Sequence, residues 1–219
     1  MSDAPLVIAI DGPAASGKST VARGLAKQYG FFYVNSGSMY RTLTWYVLSR
    51  DGNPLDPVEV ESLLNSATLH TGFDSGASYL EIDGIRPTAE LLSEDINRSV
   101  SAVSTVPAVR QRLLHELREL ANRVNVVVEG RDIGSVVFPD TPFKFYLDAP
   151  QILRQQRREA QGQKDQIALR DQIDSSRHTA PLVISPDAWV IDTGPLDLDG
   201  VILAICERLT QSGLHPVQP

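Results

Sequence analysis

One cysteine in 219 residues rules out an internal disulfide and a thiolate metal cluster, and a chain so built suits a reducing compartment. That cysteine, Cys206, falls in the run Val201, Ile202, Ile205, Cys206, Leu209, the spacing of a helix's buried face, which marks it for packing. No apolar stretch approaches the ~18 residues of a membrane span. The apolar run Pro5 to Ile10 lacks a basic n-region and is too short for a secretion signal, so it reads as a first strand, and a cytoplasmic location without membrane partners is expected. Excess basic charge is missing too. A formal net charge of −7 leaves no broad cationic face of the kind that binds nucleic acid by counterion release, so arginines serving anionic ligands have to be placed locally. Internal repeats and low-complexity tracts are also absent.

What is present is an ordinary globular composition, 42% hydrophobic, in a length that holds one α/β domain with smaller inserts. Strand-like and helical stretches alternate: LVIAI at 6–10, a helix from Lys18 to about Tyr29, FFYV at 31–34, and a helix from Ser38 to about Arg50. A helix from Pro107, the strands VNVVVE (124–129) and FKFYL (143–147), an arginine-rich helix, the strand AWVI (188–191) and a closing helix follow. This βα rhythm predicts an α/β fold with a doubly wound, five-stranded parallel sheet. Residues 67–88, broken by DSG and DG turns, read instead as an antiparallel hairpin or three-strand patch inserted in the core.

The run Gly12-Pro13-Ala14-Ala15-Ser16-Gly17-Lys18-Ser19-Thr20 satisfies G-x-x-x-x-G-K-[ST] directly after a strand and directly before a helix. Its glycines let the backbone approach phosphates, so that N–H groups and a helix N-terminus face the anion. Lys18 then bridges the β- and γ-phosphates of a nucleoside triphosphate, and the Ser19 hydroxyl lies on or near Mg²⁺. The motif leaves the acceptor open, since GTPases, ATPases and many kinases share it; a guanine-selective NKxD stretch is missing.

Acceptor candidates sit after other strands. In Asn35-Ser36-Gly37-Ser38-Met39-Tyr40-Arg41, Ser36 and Ser38 suit helix capping or ligand contact, and Arg41 is a cation near the wrong end of a helix dipole. In Glu129-Gly130-Arg131-Asp132, the Arg and Asp either pair with each other or hold a phosphate and a base amine. Arg110 falls inside the apolar arc of its helix among Val109, Leu113, Leu117 and Leu120, which demands a permanent partner, a snorkelling side chain or a place in the acceptor crevice. Arg170, Asp174 and Arg177 share a narrow helical arc, as a surface ion-pair row or as a ligand-facing set.

Taken together, IDGPAASGKST, NSGSMYR, VEGRDIGSVVFPD and the RD-x-x-D-x-x-R run before APL resemble the bacterial cytidylate kinase family, P-loop nucleoside monophosphate kinases, over about residues 6–210. The resemblance implies ATP-dependent phosphorylation of CMP and dCMP with Mg²⁺, a P-loop core, an acceptor-binding insert and a short helical lid. It implies that Ser36, Ser101, Arg110, Asp132 and Arg177 contact cytosine, that Arg170 and Asp174 reach the ribose and nearby phosphate, and that Arg41 and Arg131 hold the acceptor phosphate. Within one kinase domain, segments 1–34, 97–150 and 178–219 form the core, 35–96 the acceptor-binding region and 151–177 the lid. Lid arginines Arg154 and Arg158, like Arg157, either stabilise transferring phosphates or form a solvated basic face. A monomer is expected. The chain departs from the family's usual pattern in having Asn35 for an aspartate, Ile173 where an arginine often stands, and a short lid, EAQGQKDQIAL.

Overall fold

The computed structural model describes residues 4–160, 167–177 and 180–217, without the side chains of Leu169 and Arg170. The lid stretch 161–166 and the Arg170 side chain therefore lie outside the described set.

The chain opens with β1 (Val7–Asp11), α1 (Lys18–Tyr29), β2 (Phe32–Asn35) and α2 (Ser36–Ser49), followed by α3 (Pro57–Asn65). The hairpin β3 (Leu69–Asp74) and β4 (Ala77–Ile82) leads through a 3-10 turn, Ala89–Leu92, to α4 (Glu94–Val103) and α5 (Pro107–Ala121). Then come β5 (Val126–Glu129), a π-helical turn Ile133–Val137, β6 (Phe143–Asp148), α6 (Gln151–Ala160), α7 (Ile167–Ser176), β7 (Trp189–Asp192) and α8 (Leu198–Gln211).

Seven strands form one sheet in the order β3-β4-β2-β5-β1-β6-β7. The five from β2 to β7 are parallel, as the βα rhythm requires. The hairpin does not stand apart from this core. Its strand β4 joins the free edge of β2, with Tyr33 opposite Ala77 and the Tyr33 N–H bonded to the Gly76 carbonyl at 2.9 Å, because an unpaired edge leaves backbone groups that a neighbouring strand can satisfy. A third strand does not form; Ile85 makes only an isolated bridge to Ile82.

Period-two alternation divides the apolar side chains between two faces. Ala9, Val126 and Val128 face the layer of α2, α3 and α5, packing with Met39, Leu43, Val60, Leu113 and Leu117. Ile8, Ile10 and Val127 face α1 and α8, with Leu25, Ile202, Ile205 and Leu209. Burying each such side chain contributes roughly 1.5–3 kcal/mol. Asp56 caps α3 ahead of Pro57, and Gly30, at φ 64°, ends α1 in the left-handed conformation.

The chain leaves β1 toward β2 on one side and leaves β5 toward β6 on the other, so adjacent strands β1 and β5 form the switch point, where an open α/β sheet has its ligand crevice. Register pairs Ile10 with Glu129, setting the loops after these strands side by side. Asp11 stitches them together by accepting N–H bonds from Ile133 at 2.8 Å and Gly134 at 2.7 Å. Burial pushes the Asp11 carboxyl up to about 6 although those N–H groups favour its charged form. A folded-state value above the ordinary one means that the carboxyl opposes folding once ionised: stability from this group is greatest below about 4 and falls as pH rises toward 6. A ¹³C carboxyl titration should accordingly find the Asp11 midpoint at about 6; a midpoint at or below about 4 would show that the two N–H bonds outweigh burial.

Candidate active site

The phosphate loop runs from the end of β1 into α1. Gly12 takes φ +147°, and a Cβ there would come within 2.1 Å of the Leu147 carbonyl oxygen, so only glycine fits. Gly17, at φ 94°, turns the backbone into α1, whose first residue is Lys18. The Lys18 ammonium curls back over the loop, donating to the Pro13 carbonyl at 2.5 Å and the Ser16 hydroxyl at 3.3 Å. Ala15 is a left-handed non-glycine at φ +57°. Such a residue costs on the order of 1 kcal/mol and persists where its surroundings hold it.

Ala14, Ala15, Lys18 and Ser19 form one wall of a cavity of about 420 Å³. The facing wall carries Ser36, Arg41, Ser101, Arg131, Asp132, Asp174 and Arg177, with Arg158 reaching in from α6. These seven acceptor candidates thus share one space with the phosphate loop, large enough for small ligands, whereas Arg110 does not line it.

Ser36 starts α2, two residues before the expected start, and the cap is Asn35, whose Oδ1 accepts the Ser38 N–H at 2.9 Å. Ser36 is thereby free of capping and donates to the Glu129 carbonyl at 2.8 Å. The earlier start puts Arg41 in the second turn of the helix, where the dipole is weaker than the expected first turn implies, and Arg41 donates to the Leu91 carbonyl at 3.0 Å. Asn35 also donates to the Tyr33 hydroxyl at 3.0 Å, and Tyr33 donates in turn to the buried Glu129 carboxylate. Burial and Glu129 hold the Tyr33 phenol far above its ordinary value, so it stays a donor.

Arg131 and Arg177 are paired rather than solvated. Asp174 accepts from Arg131 at 2.8 Å and also from Arg177, while Arg177 donates to the Ser104 hydroxyl at 2.9 Å. Burial opposes the Arg131 charge, yet Asp174 carries its pKa above the usual guanidinium value; for Arg177 burial prevails and lowers it. Among the described residues the buried Arg177 Nε has no hydrogen-bond partner, which leaves a donor suited to an acceptor atom of a ligand.

Arg110 is buried and paired with Asp132, the permanent-partner arrangement among those its helical position leaves open; it also donates to the Ser104 carbonyl at 3.1 Å. It lies over the Tyr40 ring at 5.6 Å and lines a smaller adjoining cavity of about 110 Å³, while Asp132 lines both cavities. Burial holds the Asp132 carboxyl above its ordinary value, and Arg110 offsets only part of that rise. Burial pushes Tyr40 up to about 12. Arg154 does not line the cavity; it is buried beneath the phosphate loop in a pair with Asp171. Asp174 and Arg177 do meet, although α7 ends at Ser176 and Arg177 lies one residue beyond it. Tyr40, Ser104, Glu129 and Asp171 were not singled out from the sequence. Tyr40 follows Ser36 at i+4 and Asp171 precedes Asp174 at i+3, spacings that offered a signal for those two.

A phosphate loop facing an arginine-lined acceptor pocket across the switch point of a parallel sheet defines a P-loop phosphotransferase of the kind that serves small acceptors. The comparisons narrow this. Residues 8–211 match the family model for cytidylate kinase. The chain is 39% identical to the cytidylate kinase of Nocardia farcinica over 212 residues, covering 91% of each. It is 42% identical over 227 residues to a bifunctional pantoate ligase/cytidylate kinase of Synechococcus sp. strain JA-2-3B'a(2-13), where 94% of the chain spans only 42% of that longer protein. Among solved structures, thymidylate kinase of Candida albicans matches with TM-score 0.51 at 13% identity, covering 100% of this chain and 97% of that one, a likeness of fold alone. The chain belongs to the cytidylate kinase family and is a nucleoside monophosphate kinase.

Replacing Arg110 by Met keeps the stem's bulk but leaves Asp132 buried beside fewer cations, a loss of about 3–5 kcal/mol for breaking a buried pair. The variant's melting temperature should fall by more than about 5 °C at pH 8. Its deficit should shrink toward pH 5, because the orphaned carboxyl has a raised folded-state value and its cost grows only as it ionises. A loss below about 1 °C at pH 8 would mean that Arg177 alone suffices for Asp132.

Proposed function

We propose that the chain moves the γ-phosphoryl group of ATP onto CMP and dCMP by direct in-line transfer, giving ADP and CDP or dCDP. The observation that carries this reading is the single cavity with the phosphate loop on one wall and Ser36, Ser101, Asp132 and Arg177 on the other. The loop's N–H groups and Lys18 cradle the donor phosphates; Arg41 and Arg131 hold the acceptor phosphate. Arg158 neutralises charge on the group in transit, and Arg154 supports it from beneath the loop. Such a transfer asks chiefly for positioning and charge neutralisation, so no dedicated base is needed.

Cytosine offers a donor amine beside an acceptor ring nitrogen and carbonyl. The Asp132 carboxylate accepts from the amine, and the Arg177 Nε supplies an unused donor for the acceptor edge. Arg110 acts through Asp132 by holding its carboxylate ionised and oriented. Asp174 and Arg170 serve the ribose and adjoining phosphate.

Mg²⁺ prefers oxygen donors and keeps several waters, and the Ser19 hydroxyl and Glu129 carboxylate, both on the cavity wall, fit that preference. When bound, the ion supplies charge neutralisation to the donor phosphates. Segment 35–96 acts as the acceptor-binding region and 151–177 as the lid, which excludes water as a competing acceptor. No helix among the described residues is long and apolar enough to cross a membrane. The same reading makes the protein a cytoplasmic monomer that works on small molecules.

A coupled assay across monophosphates tests the reading. CMP and dCMP should drive ADP release far above AMP, dTMP or shikimate, and kcat/KM for UMP should be lower than for CMP because a carboxylate cannot donate to the uracil carbonyl. ADP release independent of any acceptor would instead indicate a nucleotide-hydrolysing module. Lys18→Ala should lower kcat by about two decades or more in a folded protein; a near-normal rate would remove Lys18 from its role.

A further inference from the structure

Ala14, in the middle of the phosphate loop, is gripped on both of its polar backbone groups by lid residues. Its N–H donates to Asp171 Oδ1 at 3.2 Å, and its carbonyl accepts from Arg154 Nη1 at 3.2 Å. Arg154 and Asp171 are themselves paired, and Arg154 Nε is anchored on the Ala149 carbonyl at 2.9 Å. The four groups close a ring in which α6 and α7 hold one residue of the loop. That residue adjoins Ala15, whose left-handed backbone at φ +57° has to be held by its surroundings. A left-handed residue following ordinary backbone turns successive N–H groups toward one point, the geometry of an anion nest.

We propose that Asp171 is a positioning residue for the donor site: through Arg154 and the Ala14 N–H it keeps the phosphate loop in its anion-binding shape. The acceptor side is served separately, one turn further along α7, by Asp174 on Arg131 and Arg177. Donor affinity and acceptor affinity therefore depend on different carboxylates of one helix. Neither Asp171 nor Arg154 needs to touch ATP for this role. Removing the Asp171 charge leaves the buried Arg154 guanidinium facing an amide, and the grip on Ala14 loosens on both sides.

The inference rests on reading residues 12–20 as the ATP site, and ATP affinity measured by calorimetry without acceptor separates the two: wild-type protein that binds no ATP refutes that reading, whatever the variants do. Asp171→Asn should raise the ATP dissociation constant about tenfold, roughly one charged hydrogen bond, with the CMP KM changed less than about twofold. Arg154→Met should have a similar effect, and the double variant should be no worse than the poorer single, because both act through one ring. Asp171→Glu, which keeps the charge, should recover at least half of the loss on a logarithmic scale, and it stands in should the Asn variant not fold. An unchanged ATP constant overturns the proposal. So does tighter ATP binding, which would make Asp171 a competitor of the phosphates. Equal rises in the ATP and CMP constants would reduce Asp171 to docking α7, and losses that multiply in the double variant would uncouple it from Arg154.

Discussion

The two N–H bonds that Asp11 accepts from Ile133 and Gly134 decide the distance over which this molecule works. Asp11 is the last residue of β1, so the phosphate loop begins at its carbonyl; Ile133 opens the turn that follows Arg131 and Asp132. One buried carboxylate therefore spans the phosphate loop and the loop after β5. Ladder pairing of Ile10 with Glu129 fixes the same separation through the backbone. In-line transfer converts such a fixed separation into rate, because a misplacement of about 1 Å between reacting groups can cost 10²-fold. A surface loop could not hold that tolerance, whereas two central strands and a buried carboxylate can.

Charge around the crevice follows a second rule, that its ordered guanidinium groups are matched by carboxylates of the protein. Arg110 has Asp132, Arg131 and Arg177 share Asp174, and Arg154 has Asp171. A buried pair gains little stability overall, since desolvation offsets most of its attraction. Its value here is that guanidinium groups stay ordered and charged in a chain of net charge −7, as the proposed binding of phosphate requires. Asn35 fits this balance. Its amide does the work that a neutral group can, capping α2 and donating to Tyr33, while the neighbouring carboxylate comes from Glu129.

Most of the parallel core was legible because β1, β5 and β6 bury both faces and read as near-continuous apolar runs bounded by turns or helix starts. The phosphate loop was legible because its spacing is a backbone requirement. The hairpin's attachment to β2 was not, since edge pairing at Tyr33 depends on which strand lies free in space. Arg110 shows the limit for side chains: the apolar arc of α5 established that its charge needed an answer, but several answers satisfied the same arc. Asp132, 22 residues away, answers it through the return of β5 beside the helix. The start of α2 was misplaced for a simpler reason. Asn, Ser and Ser in succession all cap well, and the bond from Ser36 to the Glu129 carbonyl, 93 residues away, settles which of them does not.

Long-range grips of this kind account for the shape of the phosphate loop itself. Gly12 lies against the end of β6, where the Leu147 carbonyl leaves no room for a side chain. Thr193, just past β7, donates to the Ser16 carbonyl at 3.1 Å and is itself held by Arg157 of α6, which donates to its hydroxyl at 3.0 Å and its carbonyl at 2.8 Å. Arg154 and Asp171 hold Ala14. The loop is thus fixed from β6, from the segment after β7 and from α6 and α7. That number of restraints explains why an alanine rather than a glycine can occupy the left-handed position at residue 15: the conformation is imposed from outside, so the loop does not need intrinsic freedom there. A loop held in this way loses little entropy when phosphate arrives, and its N–H groups need no reorganisation as charge moves across them. Arg157, which a sequence view leaves between phosphate contact and solvated surface, belongs to this scaffold through its two bonds to Thr193.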